Sequence, residues 1–176
     1  MFEGWGEFYL LVGAAAATLI GLLFVVVTLT SDRERSSVLH AASLYMSPVV
    51  LHLAFVLVLS AAALAPLLSA TGFGLVCAAL AGIGLGVSVR VTLGIRRSTL
   101  ASTPHWSDAW CYGVAPACLY LGLAAVSATA LAHAAATPGE LAAATIGLLL
   151  ISIRNAWDLV TFLAPRSPRE ELGEGS

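Results

Sequence analysis

The chain has 176 residues, of which 59% are hydrophobic and 10% are charged, against roughly 25% charged residues in a typical soluble domain. Its mean hydropathy is +0.93, so the composition indicates a protein that has lipid as its main solvent and argues against a soluble domain. Eight basic and ten acidic residues give a formal net charge of -2. No basic run is long enough to follow a nucleic-acid backbone, so we expect no nucleic-acid partner.

Five segments are long and apolar enough to cross a bilayer. About 20 predominantly apolar helical residues span the hydrocarbon core, and lipid does not tolerate unpaired backbone groups, so each segment should be helical. The sequence therefore predicts an all-α integral membrane bundle of five transmembrane helices, at about residues 8–29, 32–68, 72–95, 108–133 and 138–163. We expect one transmembrane domain over residues 1–164 and a disordered cytoplasmic tail at 165–176.

Arginines in the short connections predict the orientation of the bundle. The N-terminus and the connections between helices two and three and between helices four and five contain no Arg or Lys. Basic residues instead follow helices one, three and five: Arg33, Arg35, Arg96, Arg97, Arg166 and Arg169. Because cytoplasmic loops carry the excess of basic residues, we expect an outside N-terminus, a cytoplasmic C-terminus and a multi-pass location in the bacterial inner membrane.

Small residues recur at four-residue spacing in two of the predicted helices. Gly13, Ala17 and Gly21 form one stripe in helix one, and Gly82 and Gly86 belong to a longer stripe in helix three. Stripes of this kind let helix backbones approach closely in lipid. They are read either as ordinary packing faces within the bundle or as a seam between subunits, and the second reading predicts a homo-oligomer.

Ionisable residues inside the predicted spans are the strongest functional signal. A charge in mid-membrane costs from about 2.5 kcal/mol upward and rarely faces lipid. Arg154 and Asp158 lie four residues apart on one face of helix five, with the amide of Asn155 beside them, and His52 and Arg90 lie in other helices at similar depth. We expect these five residues to form a polar cluster or ion path near the cytoplasmic side. Its net positive charge suits an anion, a lipid phosphate or a gating charge pair, so ions or an anionic lipid are candidate partners.

A purely structural reading of the same residues remains open. In it, Arg90 and Asp158 extend to the headgroups, Arg154 pairs with Asp158 to hold the fold, and His52 is a neutral core residue. A haem or metal site at His52 is not expected, because the other histidines lie at the membrane edges. We predict no metal and no cofactor.

Two segments resemble known proteins. The first-helix segment from Gly13 to Val27, GAAAATLIGLLFVVV, and the last-helix segment RNAWDLV, from Arg154 to Val160, are similar to an uncharacterised group of small bacterial multi-pass membrane proteins. The resemblance implies an integral membrane protein and marks Arg154 to Asp158 as a feature of that group. It implies no activity and no cofactor.

The pattern favours transport over catalysis. The sequence contains no phosphate-binding glycine loop, no Gly-x-Ser-x-Gly and no His-Glu-x-x-His motif, so we do not expect an enzyme. An odd helix number without a visible repeat disfavours an inverted-repeat transporter. The first hypothesis is an oligomeric ion or small-solute channel, and the alternative is a non-conducting accessory or regulatory subunit of another membrane complex.

Overall fold

The computed structural model of the protein describes residues 3–30, 36–97, 110–132 and 138–163. All secondary structure in these ranges is helical, which confirms the expected all-α class. The helices are α1 (Gly6–Thr30), α2 (Ser36–Leu64), α3 (Ala70–Arg97), α4 (Ala115–Leu131) and α5 (Pro138–Leu163), and a π-helical turn, Trp110–Val114, leads into α4. The predicted tail at 165–176 lies outside the described residues.

Four of the described helical stretches are long and apolar enough to cross a membrane: Gly6–Leu29, Ala70–Gly94, Trp110–Leu131 and Pro138–Thr161. The described apolar part of α2 is shorter, Pro48–Leu64. Lipid offers the backbone no hydrogen-bond partners, so a helix, which pairs its own amides and carbonyls, is the structure expected of such stretches. The architecture fits a multi-pass membrane protein.

The connection between α2 and α3 is tighter than the sequence predicts. The predicted second helix extends to residue 68, whereas α2 ends at Leu64. Pro66 has no amide hydrogen to continue the helix, and the chain turns through a bond from the Ala65 amide to the Ala62 carbonyl, 3.3 Å. The hydroxyl of Ser69 then accepts a bond from the Gly72 amide, 3.1 Å, and thereby caps the start of α3.

Contacts between the helices define the arrangement of the bundle. Helix α2 packs against α1, α3 and α5, α4 packs against α3 and α5, and α1 also contacts α5. Helices α2, α3, α4 and α5 therefore form a closed cycle in which α3 and α5 lie at opposite corners. Large side chains from several helices fill the interior, including the fully buried Tyr9, Leu53, Phe73, Tyr120 and Leu148.

Close packing of α3 against α4 depends on a glycine of the inner face of α3. The aromatic ring of Tyr120 lies against Gly84, where a Cβ atom would overlap the ring carbons. Gly84 therefore lets the long tyrosine side chain of α4 pass α3 and enter the centre of the bundle.

We expect Gly84→Ala to destabilise the fold by about 1–3 kcal/mol, because overpacking forces side chains and backbone to shift. The measurement is the thermal unfolding midpoint of the detergent-solubilised protein. Gly122→Ala is the matched control, since Gly122 is exposed on α4 and a Cβ there meets nothing within 4 Å. Equal midpoints for the two variants would contradict this role of Gly84.

Candidate functional site

An ion pair lies on the surface of α5 near its C-terminal end. The Nη1 atom of Arg154 is 2.9 Å from the Oδ2 atom of Asp158, and the two side chains are 41% and 43% exposed. The four-residue spacing places both on one side of the helix. The exposed side chains of Leu150, Ile153 and Trp157 lie on the same part of the helix, so these two opposite charges interrupt a largely apolar surface.

Asn155 connects this ion pair to the start of the fourth helix. Its side-chain oxygen accepts a bond from Arg154 Nη1 at 3.1 Å, and its Nδ2 donates to the Cys111 carbonyl at 3.2 Å. The Tyr112 hydroxyl donates to the backbone carbonyl of Asn155 at 3.2 Å. Asn155 is fully buried, so its amide holds α5 against the π-helical turn Trp110–Val114 and positions the adjoining charges.

His52 occupies a separate, buried position in the middle of the bundle. Its Nδ1 atom lies 2.6 Å from the Tyr120 hydroxyl, and Tyr120 also packs edge-on against Phe55 with ring centroids 6.0 Å apart. The Nε2 atom is buried and has no hydrogen-bond partner among the residues that the structure describes. The hydrogen bond between His52 and Tyr120 joins α2 to α4 in the interior. The tyrosine ring fits past α3 because Gly84 has no side chain.

Within one chain, the five residues of the predicted cluster occupy three places. Arg154, Asn155 and Asp158 are in direct contact, whereas His52 is bonded to Tyr120. Arg90 is exposed on α3 and has no ion pair within the described part of the chain. Helices α3 and α5 do not form a packed pair, so Arg90 does not join the charges of α5 inside a single bundle.

The small-residue stripes face two ways. Gly13 is buried in α1 and packs on Ser60 of α2, where an added Cβ would lie 3.0 Å from the serine Cβ. Ala17 and Gly21, further along α1, are exposed, and so are the two stripe glycines of α3, Gly82 and Gly86. A Cβ at Gly21, Gly82 or Gly86 would meet nothing within 4 Å, so a single chain leaves these faces open.

Sequence reasoning missed the residues that hold the site together. Gly84 lies between two stripe glycines in the sequence and faces the opposite way. Tyr120 could be identified from the sequence, because a tyrosine in mid-membrane needs a hydrogen-bond partner for its hydroxyl. The Cys111 carbonyl could not be found from side-chain types, since the bond that it accepts is made by the backbone.

The histidine, cysteine and acidic side chains of the described ranges form no group of three or more that could hold a metal ion. No family model, curated protein or solved structure matches the chain.

We predict that Tyr120→Phe lowers the free energy of unfolding by about 1–3 kcal/mol, because it leaves Nδ1 of buried His52 unpaired. In a His52→Leu background the same substitution should cost much less, since both polar partners are then gone. Unfolding in detergent of the unsubstituted protein, the two single variants and the double variant gives the coupling free energy between the two side chains. An equal loss in both backgrounds would show that the hydrogen bond contributes nothing.

Asn155→Ala should also destabilise by about 1–3 kcal/mol, because it leaves the Cys111 carbonyl without its donor. Thr161→Ala is the control on the same helix, since the exposed Thr161 hydroxyl bonds to carbonyls of its own turn, those of Trp157 and Asp158. The measurement is the thermal midpoint in detergent. A midpoint for Asn155→Ala that matches the control would refute the proposed connection between α5 and the π-helical turn.

Proposed function

We propose that the protein is an oligomeric channel for ions or small solutes, with five membrane-spanning helices. The observation that carries the proposal is the half-exposed Arg154–Asp158 pair on the outward surface of a predominantly apolar span. Charges that face lipid are costly, and intramembrane charges usually face a water-filled cavity or another protein surface. A path bordered by this pair in the assembled protein meets that requirement.

Packing of the single bundle supports a path between chains. Side chains such as Leu53, Tyr120 and Leu148 fill the centre of the described bundle and are fully buried. The charged pair lies on the outside of this packed interior. Several copies around a common axis would bring their Arg154–Asp158 pairs together around a polar lumen, as rings of charged side chains do in other channels.

The proposed topology has the N-terminus outside and the C-terminus in the cytoplasm, in the inner membrane of a bacterium. It rests on the positions of the arginines in the short connections and on the resemblance of the first and last helices to small bacterial membrane proteins. In this orientation the Arg154–Asp158 pair lies at the cytoplasmic end of the path.

His52 and Asn155 have supporting roles in this proposal. Asn155 fixes the ion pair through the Cys111 carbonyl, so that the charges keep a defined position at the path. His52 lies in the packed interior and is fully buried. The hydrogen bond between His52 and Tyr120 stabilises the helices that form the wall of the path. The His52 side chain itself does not contact the permeating species.

The exposed faces of α1 and α3 favour a second candidate function. Gly21, Gly82 and Gly86 leave smooth outward surfaces on which the helix of a different membrane protein could pack closely. In that case the chain is a non-conducting accessory or regulatory subunit, and Arg154 and Asp158 pair with the partner.

The test is ion flux through purified protein in liposomes, measured separately for chloride, potassium and protons. A channel gives selective flux, and Arg154→Gln should change it by about tenfold, which corresponds to about 1.4 kcal/mol in the barrier. Thr161→Ala is the control, because it leaves the charges of α5 unchanged.

Each result of the flux measurement distinguishes the two functions. Flux that Arg154→Gln alters and Thr161→Ala does not would support a channel with its path along α5. The absence of flux for all three ions, from protein shown to be folded and inserted, would refute a channel for these ions. A stoichiometric partner recovered after mild extraction would then establish the accessory role.

A further inference from the structure

The outward face of α3 carries a cation, Arg90. Arg90 lies within the apolar stretch Ala70–Gly94 and shares the register of Gly82 and Gly86. It is exposed, and no ion pair for it occurs among the described residues. A guanidinium in such a span needs either an anionic partner or a route to the headgroups.

The outward face of α5 carries the complementary charge. Leu150 and Trp157 are 60% and 69% exposed on this face, and the half-exposed Asp158 lies at its edge. The Nη1 atom of Arg154 lies 2.9 Å from one carboxylate oxygen of Asp158, Oδ2. A carboxylate accepts several hydrogen bonds, so it has capacity for a second arginine.

Arg90 and Asp158 lie at matching depths. The bond from Ser127 to the Gly74 carbonyl joins the end of α4 to the start of α3, and the bond from Tyr112 to Asn155 joins the start of α4 to the later part of α5. Helices α3 and α5 therefore run in the same direction. Each of the two charged residues lies about 30 Å from the start of its helix, at about 1.5 Å per residue.

We propose that the outward face of α3 in one copy of the chain packs against the outward face of α5 in a second copy, with Arg90 paired to Asp158. This inference rests on the homo-oligomer of the proposed function. The small residues Gly82 and Gly86 admit a close approach of the second helix. Since one chain holds α3 and α5 at opposite corners, every copy has both halves of the contact available.

Charge also disfavours the symmetric alternative. A two-fold contact between two α3 helices places the same residue of each copy at the same depth. Two Arg90 side chains would then face each other without an anion, which costs free energy in a medium of low dielectric constant. The contact between α3 and α5 replaces that repulsion with an ion pair.

The contact between two copies brings together the charged residues that lie apart within one chain. Arg90 of one copy joins Arg154 and Asp158 of the next, which gives one net positive charge at each contact. Placed at the end of a path, a ring of such charges favours anions. The ligand class that this seam predicts is therefore a small inorganic anion such as chloride.

The test is disulfide cross-linking between two differently tagged copies of the full chain in membranes. One copy carries Gly82→Cys and the other Leu150→Cys, both about 18 Å from the start of their helices at about 1.5 Å per residue. Cys111 and Cys118 are replaced by alanine, buried Cys77 is kept, and copper phenanthroline is the oxidant. The matched control pairs Gly82→Cys with Leu121→Cys, an exposed position at similar depth on α4.

A second pair of variants preserves both glycines of the seam. Ala78→Cys and Ile146→Cys lie about 12 Å from the start of their helices at about 1.5 Å per residue. We expect both pairs to give mixed dimers severalfold above the Leu121→Cys control. Adding Arg90→Gln should reduce the yield severalfold, and Arg90→Lys, which keeps the charge, should largely retain it.

Native mass spectrometry of the same sample without oxidant reports the oligomer independently. Oligomers whose cross-links join two Gly82→Cys copies, or that give no mixed cross-link with either pair, would overturn the seam while the proposed homo-oligomer stands. Monomers alone would overturn both. Mixed cross-links that Arg90→Gln does not reduce would refute the ion pair.

Discussion

The centre of the bundle depends on Tyr120, whose side chain extends from α4 past α3 to His52 of α2. The hydrogen bond of 2.6 Å joins the tyrosine hydroxyl and one histidine nitrogen, and both side chains are fully buried. Gly84 makes the route possible, because any side chain there would occupy the volume of the ring. Three helices are thus tied at one level by a single aromatic side chain.

Polar contacts at three depths join the helices to one another. At one end, the Tyr9 hydroxyl of α1 donates to the Pro138 carbonyl at the start of α5, 2.8 Å. His52 and Tyr120 occupy the middle, and Asn155 bonds the Cys111 carbonyl at the other end. Helices in lipid gain little from the hydrophobic effect when they associate, so hydrogen bonds and close packing decide which helices are neighbours.

The same arrangement leaves the charged residues at the periphery. Arg90 is exposed on α3, and Arg154 and Asp158 are half-exposed on α5. These positions suit contacts of the assembled protein better than contacts within one bundle, and they connect the proposed channel to the proposed seam. Under this proposal the interior determines the fold, and the outward faces of α3 and α5 determine the assembly and the path.

The sequence by itself determined the helical class, the apolar stretches and the pairing of Arg154 with Asp158, because length, hydropathy and four-residue spacing are local properties of a helix. It did not indicate that Gly84 faces inward while Gly82 and Gly86 face outward. In a soluble helix a continuous polar side marks the surface, whereas these helices are predominantly apolar and carry only isolated charged residues. The partner of His52 is 68 residues away in the sequence. Only the packing of α2, α3 and α4 decided that contact, because in the absence of an amphipathic pattern the inner face of each helix is selected by the shape and hydrogen-bonding groups of its neighbours.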